Sequence, residues 1–204
     1  MSRGILRIGF FFVCVLLLGG TLIHRLQAAS AHRQQVAWRT LQPEPREGPA
    51  PDFSLTLADG SRLKSESLRG RWVLVNFWAT WCAPCVQELP HLARLVEGLS
   101  GTGLLLLVVS VDEDWALVRN LSKQLTQEGK PGGNEASSAQ LLLGEIPGSL
   151  SALDSSEGVA KAFGTSRYPE TYLIDPDGNL RYRFLGPKPW GREEILDWFG
   201  ELLR

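Results

Sequence analysis

One stretch constrains this chain more than any other. A nearly unbroken apolar run, Trp72–Trp78 (WVLVNFW), leads three residues later into Trp81-Cys82-Ala83-Pro84-Cys85. An apolar run without alternation reads as a central strand covered on both faces. The residues from Cys82 to about Leu99 read as a helix ending at Gly98 or Gly101. Two thiols therefore stand where a buried strand turns into a helix, at a spacing that closes a disulfide with modest strain. The unpaired N–H groups and the dipole of the helix stabilise an anion at Cys82, which makes it the candidate attacking thiolate. Cys85, one turn further in, is expected to be shielded and to resolve a mixed disulfide. Three plainer readings compete. Half a zinc site lacks a second cysteine pair, and His91 is the one histidine beyond the N-terminal region. A structural disulfide closes too short a loop to restrict the unfolded chain much. Inert buried cysteines have no reason to sit at a strand–helix junction flanked by tryptophan.

Around this junction the chain alternates strands and helices. Phe53–Leu57 alternates like a half-buried strand, Asp59-Gly60 turns it into a hairpin, and Ser65–Arg69 reads as one helical turn closed by Gly70. Leu104–Val111 is a second buried strand, and Asp114–Gln127 is an amphipathic helix capped by Asp112 or Asp114. Glu128–Gly148, rich in glycine with Pro131, Pro147 and Ser137-Ser138, reads as a low-complexity loop with a short helix around Ala136–Leu143. Leu150–Asp154 reads as a short edge strand and Ser156–Phe163 as a short helix. Glu170–Asp175 and Asn179–Leu185 form a hairpin through Pro176-Asp177-Gly178, and Trp190–Leu203 is a last helix with Ile195, Trp198, Phe199 and Leu202 on one face. Together these predict an α/β fold, a three-layer sandwich on a mixed sheet.

The ends of the chain read differently. Arg3 and Arg7 precede an uncharged run from Ile8 to Ile23, about 24 Å as a helix. Extended to Ile5–Leu26, with Arg7 and Arg25 snorkelling, it reaches about 33 Å. Arginines ahead of the run place the N-terminus inside. Two readings stand: an uncleaved anchor over residues 1–30, or a signal peptide cleaved near Ala29-Ser30-Ala31. Both export the remainder. Cys14, inside the run, reads as a small hydrophobe. Residues 31–51, with Pro43, Pro45, Pro49 and Pro51, read as an extended tether, which leaves 52–204 as the folded domain with an insertion at about 128–148. A net charge of −1 argues against a nucleic-acid partner, which asks for a basic face.

The segment from Pro51-Asp52-Phe53 through VNFWATWCAPC resembles the thioredoxin-like domains of the membrane-anchored TlpA/ResA/CcmG group, and YPETYLID resembles the PETFLID stretch of its CcmG branch. The resemblance spans most of Pro51–Arg204 and lapses in Glu128–Gly148. It implies a thioredoxin fold with an N-terminal hairpin extension and a transmembrane anchor. It also implies a thiol–disulfide oxidoreductase at the bacterial inner membrane, single-pass, its C-terminal domain in the periplasm. The cysteines themselves carry the electrons, so no bound cofactor is expected. The implied partners are proteins with disulfides or thiols, apocytochrome c among them, and an integral membrane electron donor that restores the dithiol.

The resemblance also gives Pro169 a cis peptide bond facing the cysteines, with the backbone of Tyr168 open to an extended peptide; X-Pro ahead of a strand is compatible with that. Trp81, Ala83, Pro84, Tyr168 and Pro169 are the expected substrate-contacting set. Glu88, three residues after Cys85 on the same helix face, and Glu170, beside Pro169, are the candidate proton acceptors for Cys85, provided burial lifts their pKa. Asn76 stands where cytoplasmic thioredoxins have a buried aspartate, which moves the proton relay onto the two glutamates. Trp78 reads as packing, and Pro90 as a kink in the helix. Two other uses of the fold remain open at this point. Copper delivery asks for a histidine ligand beside the thiols, and peroxide reduction asks for an arginine and threonine shell, for which Thr80 is present.

Overall fold

The computed structural model describes the backbone of residues 2–128 and 134–204 and the side chains of 19–127 and 137–204. From the N-terminus the elements are α1 (Ser2–Leu41), β1 (Glu44–Pro45), β2 (Ser54–Leu57), β3 (Arg62–Lys64), a 3₁₀ turn (Ser65–Leu68), β4 (Val73–Trp78), α2 (Ala83–Gly98) and β5 (Leu105–Ser110). They continue with α3 (Trp115–Glu128), α4 (Asn134–Leu143), β6 (Ser149–Leu153), α5 (Gly158–Ala162), β7 (Glu170–Ile174), β8 (Leu180–Leu185) and α6 (Glu193–Leu202).

The strands form one eight-stranded sheet in the order β1-β8-β7-β4-β5-β6-β2-β3. β4, β5 and β6 run parallel, and β7 and β8 add to β4 in antiparallel fashion. All six residues of β4 and all six of β5 are buried, so both faces of the sheet centre are covered, as the uninterrupted apolar runs predict. The β2–β3 hairpin, Ser54 to Lys64, joins the sheet through β2, which pairs with β6. β6 is therefore an interior strand and not the edge strand expected from sequence. Its small residues Ser149, Ser151 and Ala152 are buried between neighbours on both sides.

Within the insertion, the short helix expected around Ala136–Leu143 is present, two residues longer at its start. Much of 128–148 is the helix α4, packed against α3, α2 and β6, with Ala139, Leu141 and Leu142 buried. The Ser122 hydroxyl of α3 donates to the Ala139 carbonyl at 3.2 Å. Residues 129–133, the glycine-rich start of that expected loop, lie outside the described residues.

The largest departure lies at the N-terminus. Residues 31–41, read from sequence as part of an extended tether, are the last turns of α1 and pack on α6. Ala37 and Leu41 are fully buried. Trp38 meets Tyr182 and Trp198 edge-on, with ring centroids 5.8 and 6.4 Å apart. Arg33 pairs with Asp197 at 2.8 Å. The helix stops at Gln42, in left-handed backbone (φ 47°), just ahead of Pro43, whose ring disfavours helix in the residue before it. Beyond it the prolines do not float free. β1 lies antiparallel along β8, and Pro49 bridges Asn179. The apolar run expected to cross a membrane falls largely on 1–18, whose side chains lie outside the described set. Among the described residues no helix is long and apolar enough to cross a membrane.

Candidate active site

β4 delivers the chain to the site and the next turn holds it there. The backbone N–H of Thr80 donates to both carboxylate oxygens of Asp112 (3.2 and 3.0 Å), and its hydroxyl donates to Oδ1 at 2.7 Å. The Ser110 hydroxyl, at the end of β5, donates to Asp112 Oδ2 at 2.6 Å. Asp112 is buried and ties the β4–α2 turn to the neighbouring parallel strand. Sequence reading offered Asp112 or Asp114 as the cap of the following helix. Asp114 does that work, accepting from the Ala116 and Leu117 N–H groups at 2.7 and 3.3 Å.

Cys82 is the N-cap of α2, with Ala83 and Pro84 in its first turn, where proline removes no helical hydrogen bond. Its carbonyl accepts from the Cys85 and Val86 N–H groups at 3.0 and 3.1 Å. Cys82 and Cys85 are joined in a disulfide, their Cα atoms 5.3 Å apart. Cys82 keeps 6% exposure against 1% for Cys85, so the first cysteine is the one nearer solvent. Ala83 and Pro84 are exposed, and Trp81 is 67% exposed.

The loop before β7 closes the other side. The Tyr168–Pro169 bond is cis. Tyr168 packs edge-on to Trp81 with ring centroids 5.9 Å apart, which brings the cysteine turn and the proline loop side by side. The Tyr168 hydroxyl donates to Glu157 Oε2 at 3.3 Å. Burial, followed by the nearby Glu157 charge, pushes that phenol up to about 12. Trp78 is fully buried packing, as expected. Among the described residues no cluster of three or more His, Cys, Asp or Glu is placed to hold a metal ion.

The two glutamates part company. Asn76 pairs across the sheet with Thr171, and Phe77 pairs with Glu170; cross-strand partners share a face and successive residues alternate. Glu88 contacts the Asn76 side chain, so it and Glu170 lie on opposite faces of the sheet. Glu170 is fully buried. It accepts from Arg183 Nε through one oxygen and from the Ser166 N–H, at 3.2 Å, through the other. Arg183 was not foreseen as its partner.

Glu88, 2% exposed, accepts from the backbone N–H of Lys188 at 2.8 Å and from the indole N–H of Trp190, both on Oε1. Asn76 Nδ2 stands 3.4 Å from Oε2 and donates to the Thr171 hydroxyl at 2.9 Å. Burial pushes the Glu88 carboxyl up to about 7 against these donors. Lys188 and Trp190 were missed from sequence, because they reach Glu88 from a hundred residues away and no local spacing signals it.

That titration is linked to stability. With the carboxyl raised from 4.5 to about 7, the folded protein retains a proton that the unfolded chain has already released. Stability therefore falls as pH rises through that window. Relative to Glu88→Gln, the oxidised wild type is expected to lose about 3 kcal/mol between about pH 4 and pH 8. Urea midpoints of the two proteins across that range measure it, and parallel curves would remove the linkage.

A sheet of this topology with a vicinal cysteine pair capping the helix after its central strand defines the thioredoxin-like class, and the pair makes the protein a thiol–disulfide oxidoreductase. Residues 47–183 match the AhpC/TSA family, and the chain belongs to it. It is 29% identical to the thiol-disulfide oxidoreductase ResA of Bacillus subtilis (strain 168) over 179 residues, 87% of this chain and 82% of that protein. The protein of the same name from Geobacillus thermodenitrificans (strain NG80-2) is 30% identical over 65% of this chain and 64% of its own length. Among solved structures, a putative thiol:disulfide interchange protein DsbE from Chlorobium tepidum shares the fold. Its TM-score is 0.59 at 23% identity, over 79% of this chain and 100% of that one.

Proposed function

We propose that the protein is a membrane-tethered reductant of partner-protein disulfides, working in the periplasm through Cys82 and Cys85. The observation that carries this reading is the Cys82–Cys85 pair itself, with the more exposed cysteine at the N-terminus of α2 beside the Tyr168–Pro169 loop. In the reduced protein the Cys82 thiolate, favoured by the helix N-terminus, attacks one sulfur of a partner disulfide. A mixed disulfide forms and the partner's other sulfur leaves as a thiolate. Cys85 then gives its proton to Glu88 and attacks Cys82 Sγ. The partner leaves with its second thiolate, carrying two electrons, and the Cys82–Cys85 bond remains. Glu88 takes this role over Glu170 because Glu170 is engaged by Arg183 and faces the other side of the sheet. Trp81, Ala83, Pro84, Tyr168 and Pro169 form the surface that meets the partner chain.

An integral membrane electron donor returns the dithiol by the reverse exchange, and the substrates are apocytochrome c or the cysteines of another metalloprotein. Leu22, Ile23 and Leu26 support the anchor. They are 56 to 62% exposed on a helix otherwise continuous with the domain, which suits burial in lipid. Thr80, the residue that favoured peroxide reduction, commits its hydroxyl to Asp112 instead.

Cys85→Ser tests the reading. The variant attacks once and cannot release its partner, so membranes expressing it are expected to accumulate mixed disulfides through Cys82 that dithiothreitol dissolves. A variant that traps nothing sinks the proposal.

A further inference from the structure

The mechanism asks Glu88 to accept a proton, yet the donors around it are distributed unevenly. Two N–H groups from one short segment, the backbone of Lys188 and the indole of Trp190, converge on Oε1. Among the described residues Oε2 has a single long contact, the 3.4 Å approach of Asn76 Nδ2. An oxygen that already accepts two N–H bonds is a poor site for a proton, whereas the other keeps its basicity. We propose that Trp190 is a positioning residue, its indole N–H holding Glu88 by Oε1 so that Oε2, on the Asn76 side, is the atom that takes the proton of Cys85.

Asn76 suits this division. Its Oδ1 is buried and finds no hydrogen-bond partner among the described residues. Facing a carboxylate, the amide presents its NH₂ group. Turned over, it presents Oδ1 to a protonated Oε2 while the Thr171 hydroxyl changes from acceptor to donor. An aspartate at this position offers no N–H for the ionised state.

Trp190 is itself enclosed by packing. It is fully buried, edge-on to Phe184 with centroids 5.1 Å apart and tilted against Phe199 at 6.2 Å. Its N–H therefore reaches Glu88 as a fixed donor rather than one that reorganises during exchange. The charged side chain acting on Glu88 among the described residues is the half-buried Lys188, which in turn faces Glu44. Cys85 lies one turn earlier on α2, and Asn76 and Thr171, from β4 and β7, are uncharged.

This inference rests on Glu88 being the proton acceptor, and the experiment separates the two. Carboxyl ¹³C NMR of the reduced full chain follows Glu88 directly, and the pH profile of disulfide exchange follows its use. Trp190→Phe keeps an aromatic ring and removes a donor that favours the carboxylate. The Glu88 midpoint is expected to rise by about one pH unit, with the exchange profile moving the same way. If that variant does not fold, a benzothienylalanine placed at 190 by ligation of the C-terminal segment keeps the bicyclic shape without the N–H. An unmoved Glu88 midpoint in a folded variant overturns the inference while leaving the relay intact. If instead Glu88→Gln leaves the exchange profile unchanged, the relay reading fails, and with it the assignment of the proton to Oε2.

Discussion

Replacing Cys82 by serine is expected to lower kcat/KM for disulfide reduction by about four orders of magnitude or more, because the hydroxyl is not ionised near neutral pH and no other residue supplies the nucleophile. The effect is expected without loss of fold. Cys82 already keeps its backbone place through the carbonyl that accepts from Cys85 and Val86, and serine is a good N-cap residue. Far-ultraviolet circular dichroism therefore stays unchanged while insulin reduction disappears. Glutathione exchange with the remaining Cys85 is slow because that residue is 1% exposed. A Cys82→Ser protein retaining more than a small fraction of its activity would show that the chemistry belongs to another group.

The second large effect concerns stability. Deleting residues 1–31 removes the exposed Ser30–Glu201 contact and none of the buried side chains that α1 seats on the domain, and is expected to leave a stable, active domain. Deleting residues 1–42 also removes Ala37 and Leu41 from full burial and Trp38 from its contacts with Tyr182 and Trp198. At about 25 cal/mol per Å² of apolar area, with the exposed rings left behind, the loss is about 5 kcal/mol. That corresponds to a fall in Tm of about 10–20 °C for a domain of this size. Calorimetry of the two shortened proteins measures the difference. Equal melting temperatures would mean that the last turns of α1 are not part of the core.

The contrast between those two deletions shows which parts of the molecule were legible beforehand. β4, α2 and the thiol pair were legible because their signals are local: an apolar run, a cysteine spacing and a proline tolerated in a helix's first turn. The end of α1 was not, because its buried stripe of Ala37, Trp38 and Leu41 is short, lies among glutamines and arginines, and precedes a cluster of prolines that suggests extension. α4 was legible as a short helix around Ala136–Leu143, but its packing on α3, α2 and β6 was not, because that is set by the elements it meets. Whether β6 is an edge strand is a property of what pairs with it, and β2 comes from nearly a hundred residues upstream. At the site, the spacing of Cys85 and Glu88 was visible, but the donors on Glu88 come from the segment before α6. Glu170 looked like a free carboxylate because strand register, which places Arg183 on its face, is set by pairing and not by its own sequence.

Because α1 runs unbroken into its seat on α6, the globule inherits a direction as well as an address. From Leu26 to Trp38 the helix advances about 18 Å, and each added or removed residue turns everything upstream by about 100° relative to the domain. In the membrane-tethered reading proposed above, the surface that holds the first turns therefore dictates which way the Cys82 rim looks. A partner in that reading meets it along that bearing rather than waiting for a swivelling domain to find it.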